Sequence, residues 1–309
     1  MKRATFLKSI GALAGAATLD FSFAGTFDNK NKKSFRIAHI TDVHILPRAN
    51  AIEGTAKALE QVHALKQKPD YVFFGGDCIM DALATPKDKV KEMWKLWDDT
   101  VKKNLKIPAA CCLGNHDVFG WGSTAEEFVK DPLYGKQWAM DELEMKNRFY
   151  SFDKGNWHFI ILDNIHIGQG NTGYMAKLDD EQFSWLSHEL ENTPKENFVC
   201  ILSHIPIVTV CPFYDKSSVK EFNFDIGAGW QNIDSLKIKD LFNQYKNVKV
   251  CLSGHTHMVD QINYLGTSYM TNGAVCGNWW DGVYKEFAPA YTIIDLYDDG
   301  TFERQMINY

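Results

Sequence analysis

The sequence predicts an α/β domain in which helices cover a β-sheet. Two observations predict it: short apolar runs typical of buried strands alternate with longer segments of helical periodicity, and no internal repeat or Pro-rich linker divides the chain. The 309 residues, 45% of them hydrophobic and 23% charged, have an ordinary globular composition, which excludes disordered and fibrous proteins. We therefore expect a single large domain.

From residue 35 onward, the chain alternates strand, helix, strand, helix and strand. Each strand is a short apolar run that ends at polar or Gly residues, and the first helical pattern stops before Pro69, which cannot continue a helix. The predicted elements are strands at 35–40, 71–74 and 109–113 and helices at about 52–68 and 87–104.

The second half contains a long irregular segment and then further alternation. Residues 118–148 are rich in Gly, Trp and charged residues without clear periodicity, so we expect a long functional insertion or lid there. Residues 150–163, broken at 153–156, predict a hairpin that returns to the sheet. Beyond it, the patterns predict helices at about 179–192 and 233–246, a loop at 206–230 and strands at 198–202, 248–252 and 291–296.

Residues 1–24 have the three-part organisation of an export signal. Lys2 and Arg3 are basic, residues 10–19 are small and apolar, and Ser22 and Ala24 occupy the small-residue positions of a cleavage site. The start resembles a twin-arginine signal, with Lys2 in place of the first Arg and one extra residue before the Phe. The apolar run is too short to span a bilayer, and no other run in the chain reaches transmembrane length, so no transmembrane span is expected. We expect residues 25–309 to act in the periplasm or envelope; an uncleaved N-terminal helix would leave the protein cytoplasmic.

Charge and cysteine content exclude two further classes of protein. Residues 25–309 carry 30 basic and 38 acidic side chains, which disfavours a nucleic-acid scaffold. Seven cysteines without CxxC spacing form neither a disulfide framework nor a zinc knuckle. Those in strand-like runs are expected to be small core thiols. They are Cys111, Cys112, Cys200 and Cys251.

Five predicted strands end in side chains that can bind a metal. The carboxyl ends of strands are where open α/β sheets gather ligands, so these side chains are expected to converge. Carboxylate and imidazole groups suit zinc, iron or manganese. The residues are Asp42 with His44, Asp77, Asn115 with His116, His204, and His255 with His257.

The residue types suit a pair of cations. His255 and His257 can serve two different ions, Asp77 has two oxygens with which to bridge them, and Asn115 supplies a neutral oxygen. Two divalent ions against two carboxylates leave positive charge that attracts phosphate. Such a pair acidifies water into a nucleophile and stabilises phosphoryl oxygens during in-line attack.

The same residues, with their neighbours, resemble the motifs of the calcineurin-like metallophosphoesterases over residues 35–260. This resemblance implies a four-layer α-β-β-α sandwich with two central mixed sheets, flanking helices and a two-metal site at the sheet edge. The motifs are Asp42-x-His44, Gly76-Asp77, Gly114-Asn115-His116-Asp117, Ser203-His204 and Gly254-His255-x-His257.

The resemblance also implies a role for each motif residue. His116 would stabilise the transition state or protonate the leaving oxygen, and Asp117 would orient it. Two divalent or trivalent ions (Mn, Fe or Zn) would be bound, one by Asp42, His44, Asp77 and His257 and the other by Asp77, Asn115, His204 and His255.

The predicted function is metal-dependent hydrolysis of a small phosphoester, and the predicted substrate is a phosphodiester. A hydroxide that bridges the two metals would attack phosphorus in line. The motif set resembles the branch with bacterial class III cyclic-nucleotide phosphodiesterases. It also occurs in glycerophosphodiesterases, nucleotidases and phosphomonoesterases, so a phosphomonoesterase or nucleotidase is the alternative. A non-catalytic envelope protein that binds metal or a phosphate ligand is an alternative of another class, but such a binder has no need of His116 and Asp117. The oligomeric state is left open.

Other residues are weaker candidates for the site. His166 could line the pocket, and Trp279-Trp280 could form an aromatic wall for a leaving group, although adjacent aromatic residues more often lie in the core. Trp121, Tyr134 and Trp138 are comparable candidates in the long insertion. The other histidines are expected at the surface or in the core. They are His39, His63, His158 and His188.

Overall fold

The structure, a computed structural model, describes residues 32–309. This part of the chain contains thirteen strands and six α-helices. The export signal predicted at residues 1–24 lies outside these residues. The strands are β1 (Lys33–Ile40), β2 (Tyr71–Phe74), β3 (Ala109–Cys111), β4 (Tyr150–Lys154), β5 (Trp157–Ile161), β6 (Ile165–Ile167), β7 (Tyr174–Ala176), β8 (Phe198–Leu202), β9 (Val248–Ser253), β10 (Asp260–Tyr264), β11 (Thr267–Thr271), β12 (Ala290–Tyr297) and β13 (Phe302–Asn308). The helices are α1 (Ala49–Ala64), α2 (Lys87–Trp97), α3 (Glu126–Val129), α4 (Gln137–Glu142), α5 (Asp180–Asn192) and α6 (Ser235–Gln244).

Two sheets of mixed direction form the centre of the fold. The first has the strand order β13-β12-β1-β2-β3 and the second the order β10-β11-β9-β8-β5-β4. β1 is parallel to β2 and antiparallel to β12, and β5 is parallel to β8 and antiparallel to β4. The predicted pair of central mixed sheets is therefore confirmed, as is the hairpin that β4 and β5 form.

The inner faces of the two sheets pack against each other. Alternation along β1 directs Phe35 and Ile37 into the space between the sheets, where both are buried. The rings of Phe35 and Phe73 lie 5.1 and 5.4 Å from that of Phe159 on the second sheet. Apolar burial between the sheets holds the strand ends of both in fixed relation.

Helices cover both outer faces. Trp94 and Trp97 of α2 pack against the first sheet, with the Trp97 ring 5.1 Å from that of Phe74. Leu186 of α5 and Leu241 of α6 pack against the second sheet. The four-layer α-β-β-α arrangement is thus confirmed. Within residues 32–309, no helix has the length and apolar character needed to cross a bilayer.

Residues 118–148 contribute to the core as well as to the surface. Phe119, Phe128 and Trp138 are buried in the cluster that also contains α1 and α2, and the Phe119 and Trp138 rings lie 5.2 Å apart. These side chains serve packing, because burial of apolar surface stabilises them there. Trp138, a weaker candidate for the site, therefore belongs to the core.

The cysteines follow the prediction of core thiols. All seven are free, Cys112, Cys200 and Cys251 are buried, and Cys111 is half-buried. Burial raises the pKa of Cys111 to about 12, which keeps this thiol protonated.

Candidate metal centre

The seven predicted ligands meet at one edge of the two sheets. Each follows the end of its strand by four residues or fewer, on β1, β2 and β3 of the first sheet and on β8 and β9 of the second. Six of the side chains are buried and that of His255 is half-buried. Residues more than 200 positions apart in the chain therefore converge, as the strand-end argument predicts.

One group of ligand atoms surrounds His44. Its Nε2 atom lies 3.2 Å from Nε2 of His257 and 3.5 Å from Oδ2 of Asp77. Oδ1 of Asp42 lies 3.5 Å from the same His257 nitrogen. These four side chains are the predicted ligands of the first ion.

A second group surrounds His204. Its Nε2 atom lies 3.1 Å from Oδ2 of Asp77, 3.1 Å from Oδ1 of Asn115 and 3.2 Å from Nδ1 of His255. The Asp77 oxygen that faces His204 is the one that faces His44. Asp77 thus stands between the two groups, as a bridging ligand must.

Backbone carbonyls fix the imidazole tautomers. Nδ1 lies 3.2 Å from the Met80 carbonyl oxygen in His44, 2.7 Å from that of Gly75 in His204 and 2.6 Å from that of Gly277 in His257. A carbonyl oxygen only accepts, so Nδ1 carries the proton in each ring. The Nε2 lone pairs are left facing the centre, which is how outer hydrogen bonds prepare histidines for a metal.

The electrostatics of the site also fit cations. Burial holds the pKa values of His44 and His255 well below the ordinary value. Burial also lowers the pKa of His204, but the Asp77 carboxylate outweighs it and raises that pKa to about 9. With Nδ1 of each ring donating to a carbonyl, the Nε2 atoms of His44 and His257 face each other at 3.2 Å, an arrangement that suits two nitrogen ligands of one cation. The donor set of carboxylate, imidazole and amide oxygen therefore fits divalent metal ions.

Five of the seven ligands have a left-handed backbone conformation. Positive φ angles are uncommon for residues with a side chain, cost of order 1–3 kcal/mol each, and cluster at functional sites. The angles are 53° for Asp42, 47° for His44, 54° for Asp77, 70° for His255 and 56° for His257.

Two glycines allow these loops to approach one another. A Cβ atom at Gly114 would lie 2.0 Å from the Asp77 amide nitrogen, and one at Gly254 would lie 2.2 Å from Oδ2 of Asp42. Any side chain at either position would displace a ligand, which gives these motif glycines a steric role.

His116 lies beside the first group, with its ring 4.9 Å from that of His44. Its Nδ1 atom lies 2.9 Å from Oδ1 of Asp81, and its backbone amide donates to Oδ1 of Asp77. Burial lowers the pKa of His116, but Asp77 and Asp81 outweigh it and raise the pKa above its ordinary value. The position suits a protonated imidazole next to the reacting group.

The predicted orienting role of Asp117 is wrong. Its carboxylate accepts hydrogen bonds from the backbone amides of Asp77, Cys78 and Gly114, at 2.8–2.9 Å. Asp117 therefore fastens the loop after β2 to the loop after β3, while Asp81 holds His116. The sequence shows Asp81 only as a further acid four residues after Asp77, and nothing local indicates that its loop faces His116.

The tryptophan pair divides between site and core. Trp279 stacks on His257, with ring centroids 4.3 Å apart and an interplanar angle of 28°. Trp280 is buried, and its Nε1 donates to the carbonyl oxygens of Val43 and His44 at 3.0 Å. Only Trp279 remains a candidate for the aromatic wall.

Tyr174 is an aromatic neighbour of the site that sequence reasoning missed. Its ring meets that of His255 edge-on, with centroids 5.9 Å apart. His166 lies on the adjacent strand β6, where its Nδ1 is 3.0 Å from the Ile167 carbonyl oxygen. Trp121 lies beneath the Lys136 ammonium, 5.2 Å from the ring.

Cys276 is a further neighbour of the first group. Its Sγ lies 3.8 Å from Nδ1 of His257, on the side of the ring that contacts a carbonyl. Burial raises the pKa of this thiol well above its ordinary value. The Nε2 atom of His257, on the other side of the ring, is the one that faces His44, so we assign Cys276 to packing.

Comparison with known proteins identifies the family. The family model described as calcineurin-like phosphoesterase matches residues 35–259. The chain belongs to the calcineurin-like phosphoesterase family. With phosphodiesterases and a phosphatase among the proteins of related sequence, it is a metal-dependent phosphoesterase.

Proteins with related sequences include several named as phosphodiesterases. A 3′,5′-cyclic-nucleotide phosphodiesterase of Nostoc sp. is 23% identical over 282 residues, 88% of this chain and 91% of that protein. A probable glycerophosphodiester phosphodiesterase of Arcobacter nitrofigilis is 25% identical over 230 residues, 72% of each chain. Among solved structures, a dimetal phosphatase from Danio rerio has the same fold, with a TM-score of 0.60, 13% identity and coverage of 90% of this chain and 100% of that one.

Proposed function

We propose that this calcineurin-like phosphoesterase is a phosphodiesterase that works with two metal ions. The observation that carries the proposal is the position of Asp77, whose Oδ2 faces His44 at 3.5 Å and His204 at 3.1 Å. The ion ligands would be Asp42, His44, Asp77 and His257 on one side and Asp77, Asn115, His204 and His255 on the other.

The ions, when bound, supply positive charge for the phosphoryl oxygens and a water acidified enough to attack phosphorus in line near neutral pH. The chain supplies the remaining functions. His116 delivers a proton from Nε2 to the leaving oxygen, since Nδ1 is held by Asp81. Asp117 holds Asp77 and the loop that carries His116 in a fixed relative position, because its carboxylate accepts hydrogen bonds from the backbone amides of Asp77 and Gly114.

Preference for a diester is supported by the related proteins named as cyclic-nucleotide and glycerophosphodiester phosphodiesterases. A phosphomonoesterase or nucleotidase with the same ligands is the second candidate, because the metal ligands themselves do not distinguish a mono- from a diester.

Hydrolysis of two matched aryl esters tests the proposal. The full-length chain loaded with Mn²⁺ is assayed with bis(4-nitrophenyl) phosphate and with 4-nitrophenyl phosphate, with Asp77→Ala as the inactive control. Turnover of the diester that is absent in the control supports a two-metal phosphodiesterase. Turnover of the monoester alone supports the phosphatase instead, and no turnover of either ester by metal-loaded protein contradicts the proposed activity.

We also infer that the chain is exported, because basic, apolar and small residues follow one another in the order of a signal at residues 1–24. The expected result is a mature chain in the envelope fraction that begins after Ala24, as determined by mass spectrometry of its N-terminal peptide. An intact N-terminus on protein in the cytoplasmic fraction would contradict this inference.

A further inference from the structure

Exposed apolar side chains are concentrated in one segment beside the candidate centre. Twelve large hydrophobic residues are well exposed in residues 32–309, and six of them lie within residues 210–224, here called the aromatic segment. Phe222 is 91% exposed and Tyr214 is 77% exposed. Apolar patches of this kind mark binding surfaces on soluble proteins.

The backbone of the aromatic segment is fixed. Val219 and Phe224 form an antiparallel bridge, the amide of Asp225 donates to the Ser218 carbonyl, and the Phe213 and Phe224 rings lie 4.9 Å apart. Within the segment, Cys211 and Ser218 are buried. The segment therefore presents its apolar side chains from a folded support.

The aromatic segment begins in contact with β10, the strand that follows His257 in the chain. Thr209 and Val210 donate to the Asp260 carboxylate at 2.6 and 2.8 Å, and Asp260 is three residues beyond His257. Further along, Lys285 lies 2.7 Å from the Asp215 carboxylate.

Contacts with the residues around the segment lead to both His257 and His255. Tyr284, next to Lys285, has its ring 5.8 Å from that of His257. Past the segment, the Ala228 carbonyl accepts from the Ala176 amide at 2.8 Å, close to Tyr174, whose ring contacts His255. Residues 215–228 therefore extend from the His257 side of the centre to the His255 side.

Charge around the segment does not favour a polyanion. Within residues 210–224, two basic residues, Lys216 and Lys220, are balanced by two acids, Asp215 and Glu221. A neutral patch gives no electrostatic attraction to nucleic acid or to an anionic surface. What it offers is apolar contact area next to a phosphate-binding centre.

We propose that the aromatic segment binds an alkyl or acyl chain of the substrate, so that the substrate class is an amphiphilic phosphoester. This inference rests on the proposed function: the ester phosphate lies at the metal centre, and the chain extends over Tyr214 and Phe222. Each methylene removed from water there favours binding.

The test compares two diesters with the same scissile bond, 4-nitrophenyl octyl phosphate and 4-nitrophenyl ethyl phosphate, below the micelle concentration of the former. The Mn²⁺-loaded protein should have a kcat/KM for the octyl ester about tenfold above that for the ethyl ester. The double variant Tyr214→Ser/Phe222→Ser should lower this ratio about tenfold, whereas Leu236→Ser, an exposed leucine on α6, should keep it. A ratio near one in the unaltered protein, or a ratio that survives in the double variant, would overturn the proposal.

Binding of octyl and ethyl phosphate, measured by calorimetry, separates this proposal from the proposed activity. Tighter binding of octyl phosphate that the double variant loses supports the amphiphile surface even if neither ester is hydrolysed. Equal binding of both phosphates overturns it even if both esters are hydrolysed. A double variant that changes only the oligomeric state, with the chain-length preference intact, would identify the segment as an interface between copies and would also overturn the proposal.

Discussion

Nδ1 of His116 lies 2.9 Å from Oδ1 of Asp81, and this contact joins the loop after β3 to the loop after β2. Thr85 donates to the other Asp81 oxygen at 2.9 Å, so the carboxylate itself is held in place. The Asp81 carboxylate, held in this way, gives His116 one tautomer and one orientation, which a proton donor requires.

Replacement of Asp81 with Asn should therefore impair chemistry more than binding. We expect kcat to fall about 10–100-fold with KM within about twofold, because the imidazole loses its charged partner but the ligands stay in place. Steady-state kinetics and metal analysis of the loaded variant measure this, and Asp81→Glu should restore part of the rate. Loss of bound metal in Asp81→Asn would show that Asp81 supports the ligands instead.

Removal of the imidazole itself should have a larger effect. His116→Ala is expected to lower the rate by roughly 10²–10⁴-fold with metal content unchanged, which is the usual contribution of a positioned proton donor. Asp240→Asn, a change at an exposed carboxylate on α6, serves as the matched control. Undiminished turnover of His116→Ala would refute its assigned role.

Gly54 should resist a substitution that normally stabilises helices. It lies within α1, where Ala is ordinarily favoured over Gly by about 1 kcal/mol. A Cβ here would lie 2.2 Å from Cζ3 of Trp280, which two backbone carbonyls hold in place. Gly54→Ala should lower the free energy of unfolding by about 1–3 kcal/mol in urea titrations, and by less in a Trp280→Phe background. A stabilised Gly54→Ala protein would contradict the tight contact.

Asp295 should give a pH-dependent contribution to stability. Arg36 binds its carboxylate through two nitrogens at 2.6 and 2.7 Å, and Lys33 lies 2.8 Å away. Burial raises the pKa of Asp295, but these cations outweigh it and hold the pKa below the ordinary value. A depressed carboxyl pKa stabilises the fold above the unfolded pKa of about 3.9, and this stability is lost as the pH falls through the folded-state pKa.

Asp295→Asn should accordingly destabilise the protein by about 1.5–3 kcal/mol at pH 7. The difference should shrink as the pH falls below about 4, since a protonated Asp resembles Asn. Denaturant titrations of both proteins from pH 7 to pH 3 measure it. A difference that stays constant over this range would rule out the linkage.

The sequence predicted the sheets and the ligands for a common physical reason. Buried strands need continuous apolar runs, and polar residues directly after such runs must lie at a sheet edge. Asp42 and His257 could thus be placed together although they are far apart in the chain. The four-layer arrangement was predicted from the family resemblance, because apolar runs alone do not reveal which faces of the sheets and helices pack together.

What the sequence could not reveal depends on contacts between loops. Asp81 and Asp117 are both acids near motif residues, and only the folded loops decide that the first contacts His116 and the second contacts backbone amides. Trp279 and Trp280 are adjacent in sequence, yet left-handed φ angles of 46° and 71° turn one ring toward His257 and the other into the core. Residue type gave no signal of these backbone conformations.

The proposed chemistry depends most directly on two ion positions that share Asp77. The measurement that tests this is the metal content per chain of the Mn²⁺-loaded, desalted protein by mass spectrometry, alongside His204→Ala and Asp77→Ala, with folding confirmed by circular dichroism. We predict two ions in the unaltered protein, at most one in His204→Ala and none in Asp77→Ala. A single ion in the unaltered protein, or two ions retained by Asp77→Ala, would contradict the shared two-metal centre.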